Sequence, residues 1–256
     1  MLSRLYALPA RLLAPLCLPL CLTLCLLAAP AGAQDLLVAQ AANFMPAMEE
    51  ILPAFEAATG IKGHAVYSST GKLYAQISNG APFDVFLAAD EARPAKLAAE
   101  GKSEAPFVYA RGKVVLWLPQ PDVTAADWQQ CLQRDTIQRI AVANPESAPY
   151  GAAAVAALNK AGLFETVSPR LAYAQSIAQV FQFASSGAAD AGFCALSSTL
   201  TEQGRTGTTF AVPQAPSVIQ AACILKSAPN PQAAARFVEF LNSPLVAEIK
   251  AKYGYE

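Results

Sequence analysis

The sequence has few charged residues, and their two signs nearly cancel. Charged side chains make up 14% of its 256 residues, and 18 basic against 19 acidic residues give a formal net charge of -1. Nucleic-acid-binding domains carry a basic patch or stripe, which this balance does not provide. A nucleic-acid partner is therefore not expected. A hydrophobic content of 54% also excludes a disordered chain.

The sequence also has little histidine, and its cysteines lack the spacing of a metal site. His64 is the sole histidine, so a histidine-based metal cluster or a Ser-His relay cannot form without it, and its alternating segment predicts a surface or edge position. Cys131, Cys194 and Cys223 follow the first 33 residues with no C-x-x-C spacing. Three cysteines allow at most one internal disulfide, and we expect each to fill apolar space. No cofactor and no metal ion is expected.

The first 33 residues have the pattern of a secretory signal. Arg4 and Arg11 precede an apolar stretch over residues 12–30 that contains no charge, and the small residues Ala31-Gly32-Ala33 follow it. Basic, apolar and small-residue regions in this order predict export with cleavage after Ala33.

Two other interpretations of this segment, an anchor helix and a lipoprotein signal, fit the sequence less well. An uncleaved anchor helix would be kinked by Pro15 and Pro19, each of which removes a backbone donor. A lipoprotein signal could use Cys17, Cys21 or Cys25, but each follows a leucine, where a lipid-attachment site requires a small residue. The cleaved signal is therefore preferred over an anchor.

Apolar runs alternate with helical patterns along the rest of the chain, which predicts an α/β fold. Strands are expected at 36–41, 61–67, 83–87, 114–118, 140–142 and 191–195. Helices are expected between Phe44 and Gly60, from Leu73 to Asn79, up to Gly162, from Ile177 to Gly187 and after Asn230. The length permits one large unit or two lobes. No flexible linker separates the elements, so two lobes would be joined by strands.

Polar residues stand where predicted strands end and helices begin. Asn43 follows the first strand, residues 68–70 (SST) follow the second, and residues 149–151 (PYG) open a later helix. The first N–H groups of a helix have no internal partner and attract anions. At any one junction, ordinary helix capping is the more common explanation of such residues. The surplus of hydroxyls favours a ligand, which neutral donors would hold because only Lys72 and Glu146 are charged nearby.

Several stretches together resemble the periplasmic molybdate-binding proteins of ABC importers, over almost all of residues 35–256. The matching stretches are AAN at 41–43, YSSTGKL at 67–73, QISNGAPFDVFLAAD at 76–90, NPESAPYG at 144–151, LNSP at 241–244 and KYGY at 252–255. The GAPxDVF block is the most specific of them.

This resemblance implies a two-lobed binding protein of type II, each lobe a mostly parallel sheet flanked by helices, with the chain crossing between lobes twice. Residues 34–114 and 217–256 would form the first lobe, and residues 115–216 the second. It also implies a periplasmic protein that is not an enzyme, and we expect a monomer. Its expected partners are the molybdate oxyanion and the membrane permease of an ABC transporter.

The resemblance also places a ligand set. Its expected members are Asn43 beside Ala42, Thr70 beside Ser69, Tyr150, and Ile177. Asn43 would supply an amide donor, Tyr150 its N–H, its hydroxyl or both, and Ile177 a backbone donor. A tyrosine that many members carry corresponds here to Ala195, so that hydroxyl is missing. Replacing Asn43 and Thr70 by alanine is expected to weaken binding and to leave folding nearly intact.

A site made only of donors favours a fully deprotonated dianion. A protonated phosphate would need an acceptor, and the nearest carboxylates, Asp84 and Asp90, are expected to be structural. Molybdate or tungstate is the expected ligand. Sulfate or another tetrahedral oxyanion stays an alternative, because sequence spacing does not measure ion size.

A remote alternative is a serine acyltransferase, because residues 69–72 (STGK) have the form S-x-x-K. Arg205-Thr206-Gly207 resembles a K-T-G strand, but no S-x-N or Y-x-N triplet follows to complete the proton relay. The motif is short and common, so it counts little against the binding protein.

Overall fold

The computed structural model describes residues 35–256. The predicted signal peptide, residues 1–33, and the alternatives weighed for it lie outside the described residues. Within residues 35–256, no helix combines the length and the apolar character that a membrane crossing requires.

Ten strands and ten α-helices occur in the described residues. The strands are β1 (Leu36–Ala41), β2 (Gly63–Ser68), β3 (Val85–Leu87), β4 (Phe107–Gly112), β5 (Val114–Leu118), β6 (Ile140–Ala143), β7 (Leu171–Ala174), β8 (Ala191–Ala195), β9 (Thr208–Ala211) and β10 (Val218–Ile224). The helices are α1 (Met45–Thr59), α2 (Thr70–Ser78), α3 (Ala92–Ala99), α4 (Trp128–Leu132), α5 (Pro149–Lys160), α6 (Phe164–Val167), α7 (Ile177–Ser185), α8 (Leu196–Thr199), α9 (Pro231–Leu241) and α10 (Pro244–Lys252). A 3-10 turn, Ala42–Phe44, joins β1 to α1.

The strands form two five-stranded sheets of the same design. The first has the order β2-β1-β3-β10-β4 and the second the order β7-β6-β8-β5-β9. In each sheet, the first three strands are parallel and the last two pairings are antiparallel. The chain passes between the sheets at Lys113 and again over residues 212–217. The predicted two-lobed α/β fold with two crossings is confirmed.

The sheets are mixed, and the crossings explain why. The parallel strands β1, β3 and β6 run toward the helix starts that face the opposite lobe. Strands β5 and β10 enter their sheets directly from a crossing, so they begin at the edge where the others end and run the opposite way. The assignment of residues 34–114 with 217–256 to one lobe and 115–216 to the other stays a prediction; Val114 is the first residue of β5.

Apolar residues of both sheets pack under the flanking helices. In the first lobe, Ile51, Phe55 and Phe237 are fully buried against strand residues such as Val38. In the second, residues of α5 and α7 cover the sheet, and Trp117 of β5 packs against Phe181 of α7. Burial of these side chains is the main force that holds each helix on its sheet.

The three cysteines Cys131, Cys194 and Cys223 are free thiols and buried. Burial raises the pKa of the Cys223 thiol to about 11, so it stays protonated at neutral pH. The expectation that they fill apolar space agrees with their positions. His64 lies on β2 at the edge of the first sheet, half exposed, with Nε2 at 3.2 Å from Asp35 Oδ2.

Asp84 is a buried structural carboxylate, as expected from the sequence. One oxygen accepts the N–H of Leu37 at 2.8 Å and the other accepts the N–H of Asn230 at 2.7 Å. It therefore joins β1, the start of β3 and the loop before α9.

We expect Asp84→Ala to lower the free energy of unfolding by about 2–4 kcal/mol, because two buried N–H groups lose a charged acceptor. Urea unfolding followed by circular dichroism measures this change. Asp135→Ala, at an exposed turn position, is the matched control and should change stability by less than about 0.5 kcal/mol. Equal stability of the two variants would contradict the structural role of Asp84.

Candidate functional site

Four chain segments that begin a helical turn meet between the two sheets. The turn at Ala42 and the start of α2 at Thr70 follow strands of the first sheet. The starts of α5, at Pro149, and α7, at Ile177, follow strands of the second. Helix α7 packs directly against the turn at Ala42. The structure thus brings helix starts of the two halves into contact at one interlobe junction.

Two hydrogen bonds tie the start of α2 to the opposite half. The N–H of Gly71 donates to the carbonyl of Ser147 at 2.8 Å. The ammonium of Lys72 donates to Oε1 of Gln175 at 2.5 Å. A side chain at position 71 would place its Cβ at 3.0 Å from Ser147 Cα, so glycine permits this close approach.

A third interlobe contact lies at the start of α3. The guanidinium of Arg93 donates through Nη2 to the carbonyl of Glu146 at 3.0 Å and through Nη1 to the carboxylate of Asp90. Asp90 also accepts the N–H of Arg93 at 2.9 Å. This carboxylate is therefore engaged by Arg93 and accepts a first-turn N–H of α3, but the N-cap residue of that helix is Glu91 and not Asp90 as expected.

The site offers backbone donors without partners. Within residues 35–256, no acceptor is hydrogen-bonded to the N–H of Asn43, Thr70, Tyr150 or Ile177. All four residues are at most 4% exposed. Buried N–H groups of a folded protein are normally satisfied, so four donors in this state at one interlobe junction indicate a place for an acceptor such as an anion.

Two hydroxyls add to these donors. Oγ of Ser69 is buried and has no partner within the described residues. Oγ1 of Thr70 accepts the N–H of Ala89 at 3.0 Å. Accepting that bond leaves the proton of the Thr70 hydroxyl available for donation, because a hydroxyl is both donor and acceptor.

The side chain of Asn43 is occupied by protein groups. Its Nδ2 donates to Oε1 of Gln220 at 2.7 Å, and the hydroxyls of Tyr255 and Tyr150 lie at 3.1 and 3.3 Å from the same atom. An amide nitrogen carries two hydrogens, so these three acceptors already compete for them. The backbone N–H of Asn43 is therefore the group best placed to bind a ligand.

A buried polar cluster surrounds this amide. Tyr109 donates its hydroxyl to Oε1 of Gln220 at 3.1 Å, and Tyr255 donates to the carbonyl of Asn43 at 2.7 Å. Ser197 donates to that same carbonyl at 2.7 Å. Within residues 35–256, Oδ1 of Asn43 and Oε1 of Gln40 are buried without partners.

The phenols of this cluster stay neutral at physiological pH. Burial raises the pKa of Tyr255 to about 12 and lifts the pKa values of Tyr109 and Tyr150 well above their usual value of 10. They therefore act as hydroxyl donors and acceptors and bring no charge to the site.

The six residues predicted from the sequence lie around this junction, and the structure joins some of them directly. Asn43 and Tyr150 are in hydrogen-bond contact, and Ala42, Tyr150 and Ile177 belong to one packed apolar cluster. Ser69 and Thr70 reach the second half through their neighbour Gly71. The ligand assignment itself stays a prediction.

Several cluster members were not predicted from the sequence. Gln40, Tyr109, Gln220 and Tyr255 are buried, and each hydrogen-bonds another member of the cluster. A glutamine inside an otherwise apolar strand is the signal that could have found Gln220. Ala195 is fully buried at the end of β8 and supplies no polar group there.

A crevice of about 450 Å³ leads to this junction from the solvent side. Its lining includes Ala42, Ser68, Lys72, Gln175, Ser176 and Gln179. Lys72 is the cation of this lining, and it lies next to the start of α2.

The geometry of two lobes around interlobe donors agrees with the comparisons with known proteins. The family profile of bacterial extracellular solute-binding proteins matches residues 36–256. The chain belongs to this family. Molybdate-binding protein ModA of Azotobacter vinelandii is 42% identical over 235 residues, which cover 90% of this chain and 92% of that protein. ModA of Rhodobacter capsulatus is 39% identical over 233 residues, covering 90% and 91%.

A solved structure of a molybdate-binding protein has the same fold as this chain. The Azotobacter vinelandii periplasmic molybdate-binding protein superposes with a TM-score of 0.83 at 33% identity, covering 87% of this chain and 99% of that one. The resemblance predicted from the motifs at 41–43, 67–73 and 76–90 is confirmed.

The S-x-x-K interpretation of residues 69–72 finds no support in the contacts of those residues. Lys72 donates to Gln175 on the opposite half, and Oγ of Ser69 has no partner within residues 35–256. A serine acyltransferase needs the lysine and the serine in one proton relay.

Proposed function

We propose that this chain binds molybdate, and tungstate as its close analogue, and delivers it to the membrane permease of an ABC transporter. The observation that carries the proposal is the set of buried, unpartnered N–H groups of Asn43, Thr70, Tyr150 and Ile177 at the interlobe junction. The names of the ModA relatives supply the identity of the ion. No chemical reaction is proposed.

The donor set fits an ion that has no proton to give. Asp84 and Asp90, the carboxylates considered as acceptors for such a proton, are both engaged: Asp84 by two N–H groups, Asp90 by Arg93. A protonated phosphate would present a hydroxyl that needs an acceptor, and a donor-only site leaves it unpaired. Molybdate, tungstate and sulfate are fully deprotonated at neutral pH and meet this condition.

Both lobes contribute donors, which links binding to closure. The anion would bridge Asn43 and Thr70 on the first half to Tyr150 and Ile177 on the second. A ligand that contacts both halves only when they meet shifts the population toward the closed form. The closed form would be the one that a permease recognises.

The place of action follows from the family and from the sequence pattern. Periplasmic location after removal of residues 1–33 agrees with the periplasmic relative. We propose a monomer, with residues 34–114 and 217–256 as one lobe and residues 115–216 as the other.

Competition calorimetry with molybdate, tungstate and sulfate tests this function. We expect molybdate and tungstate to bind with similar affinity and sulfate to bind at least about a hundredfold more weakly, because a smaller ion leaves donors of a rigid site imperfectly paired. Phosphate at pH 8 is the control anion and should give no heat. Sulfate binding as tight as molybdate binding would favour the alternative, a binding protein for sulfate.

A further inference from the structure

The hydroxyl of Tyr150 crosses from one half of the molecule to the other. Tyr150 lies in the first turn of α5, which packs on the second sheet, and it is 1% exposed. Its hydroxyl oxygen lies at 3.3 Å from Nδ2 of Asn43 and at 3.3 Å from Nε2 of Gln220. Both partners belong to the first half, since Gln220 is on β10 and Asn43 follows β1.

The backbone of the first half leaves a gap of matching size for this hydroxyl. Gly112 is the last residue of β4, immediately before the crossing at Lys113. A Cβ at position 112 would lie at 1.9 Å from the Tyr150 hydroxyl and at 3.1 Å from Cζ of the same ring. Any residue other than glycine at position 112 therefore excludes the hydroxyl. We call Gly112 with the side-chain amides of Asn43 and Gln220 the Tyr150 seat.

The seat lies at both crossings between the halves. Gly112 ends the strand before the first crossing, and Gln220 is in the strand that follows the second. Gly112 pairs with Val218 at the start of that strand. A rotation of one sheet relative to the other about these crossings therefore moves Tyr150 with respect to its seat.

We propose that the Tyr150 hydroxyl is an interlobe latch, which holds the closed form through the Tyr150 seat and acts on the anion only through its neighbours. The side chain of Tyr150 is thus a positioning group, and its role is separate from any contact that the backbone N–H of Tyr150 makes with the anion. The inference rests on the proposed function, because its main readout is molybdate affinity.

The latch acts on the closed form because Nε2 of Gln220 has the Tyr150 hydroxyl as its acceptor. When the hydroxyl is removed, the closed form buries an amide hydrogen without a partner, whereas an open form exposes it to water. Asn43 is less affected, since Nδ2 keeps Gln220 Oε1 and the Tyr255 hydroxyl as acceptors. The lost interaction therefore weakens closure more than it weakens either lobe.

The test compares Y150F, G112A and the double variant with the wild-type protein by calorimetry and stopped-flow kinetics with molybdate. We expect Y150F to bind about ten to a hundred times more weakly, mostly through faster dissociation. The unfolding temperature without ligand should change little. Tyr173→Phe, which removes a hydroxyl that is on an exposed side chain in the second half, is the matched control and should bind as the wild type does.

The double variant separates the latch from general damage. We expect G112A alone to weaken binding by about a hundredfold or more, because its methyl group occupies the seat. In G112A/Y150F the conflict with the hydroxyl is gone. The contacts that remain, 2.9 Å to Nε2 of Gln220 and 3.1 Å to Cζ of the ring, involve side-chain atoms that can yield by small shifts. The double variant should therefore bind better than G112A, a non-additivity that independent structural damage would not produce.

Each outcome decides between the two proposals. If the wild-type protein binds molybdate and Y150F binds it with the same affinity, the latch is overturned and the proposed function stands. The same holds if Y150F loses affinity only through slower association. If the wild-type protein takes up no molybdate, the function fails, and small-angle scattering then judges the latch. G112A should show a larger radius of gyration than the wild type, and equal radii would overturn the latch.

Discussion

The variant Asn43→Ala/Thr70→Ala is expected to bind molybdate at least about a thousandfold more weakly than the wild-type protein. Thr70→Ala deletes the hydroxyl whose proton is free to donate, and loss of one hydrogen bond to a charged group weakens binding by about 1.5–3 kcal/mol. Asn43→Ala removes the amide that fixes the turn carrying the N–H of Asn43. Donors that are held loosely lose much of their advantage over water.

The same variant should also unfold more easily. The Asn43 amide reaches three partners in the buried cluster, and its removal leaves Oε1 of Gln220 with one donor, Tyr109. We expect a loss of about 2–3 kcal/mol in the free energy of unfolding. The expectation from sequence that folding stays nearly intact is thus revised, because it took the Asn43 amide to be a donor to the anion and not a partner of buried protein groups.

Isothermal calorimetry and urea unfolding measure the two effects separately. The matched control is Asn159→Ala/Thr136→Ala, which changes the same residue types at exposed positions. We expect wild-type affinity and stability for the control. An affinity loss below about tenfold in the Asn43/Thr70 variant would show that the anion does not bind at this junction.

Five of the six strands that the sequence predicts have continuous apolar runs, and the edge strand β2 is predicted from its alternating pattern instead. β1, β5, β6 and β8 are buried along nearly their whole length, so their composition alone identifies them. β4, β7 and β9 lie at sheet edges with exposed residues, where burial imposes no clear period. β10 is central, but Gln220 interrupts its apolar run. Edge position and a functional polar residue are thus the two reasons for the missed strands.

The backbone donors of the site can be predicted from the sequence, but the contacts among its side chains cannot. Helix starts at Thr70, Pro149 and Ile177 are marked by local strand-to-helix patterns, and the orphan N–H groups follow from helix geometry. The partners of Asn43 are 107 to 212 residues away in the chain. Such pairings depend on the fold of the whole chain, so no local pattern indicates that the Asn43 amide is already occupied.

A second large effect is expected from Gly151→Ala, because helix α5 approaches the end of β6 more closely than any side chain allows. A Cβ at position 151 would lie at 2.0 Å from the carbonyl oxygen of Ala143 and at 2.7 Å from its carbon. These are backbone atoms of β6, the strand between β7 and β8, so no side chain can rotate away to relieve the contact. The start of α5 would have to shift by about 1 Å or more, which a close-packed interior does not absorb without strain.

This shift would affect stability and binding together. We expect the free energy of unfolding to fall by about 3 kcal/mol or more, since overpacking against fixed backbone has few ways to relax. Tyr150, the residue before Gly151, carries both an unpartnered N–H and the hydroxyl that lies against Gly112. The shift displaces both groups, so molybdate affinity should fall as well. Urea unfolding and calorimetry on the same preparation measure both losses.

Ala152→Ser is the matched control for this variant, because residue 152 is the next position of α5 and is exposed. It enlarges a side chain in the same helical turn without facing β6, so we expect stability within about 0.5 kcal/mol of the wild type. A Gly151→Ala protein with wild-type stability would mean that α5 and β6 are farther apart than described. The close approach that brings the α5 N–H groups to the junction would then be lost, and the donor set with it.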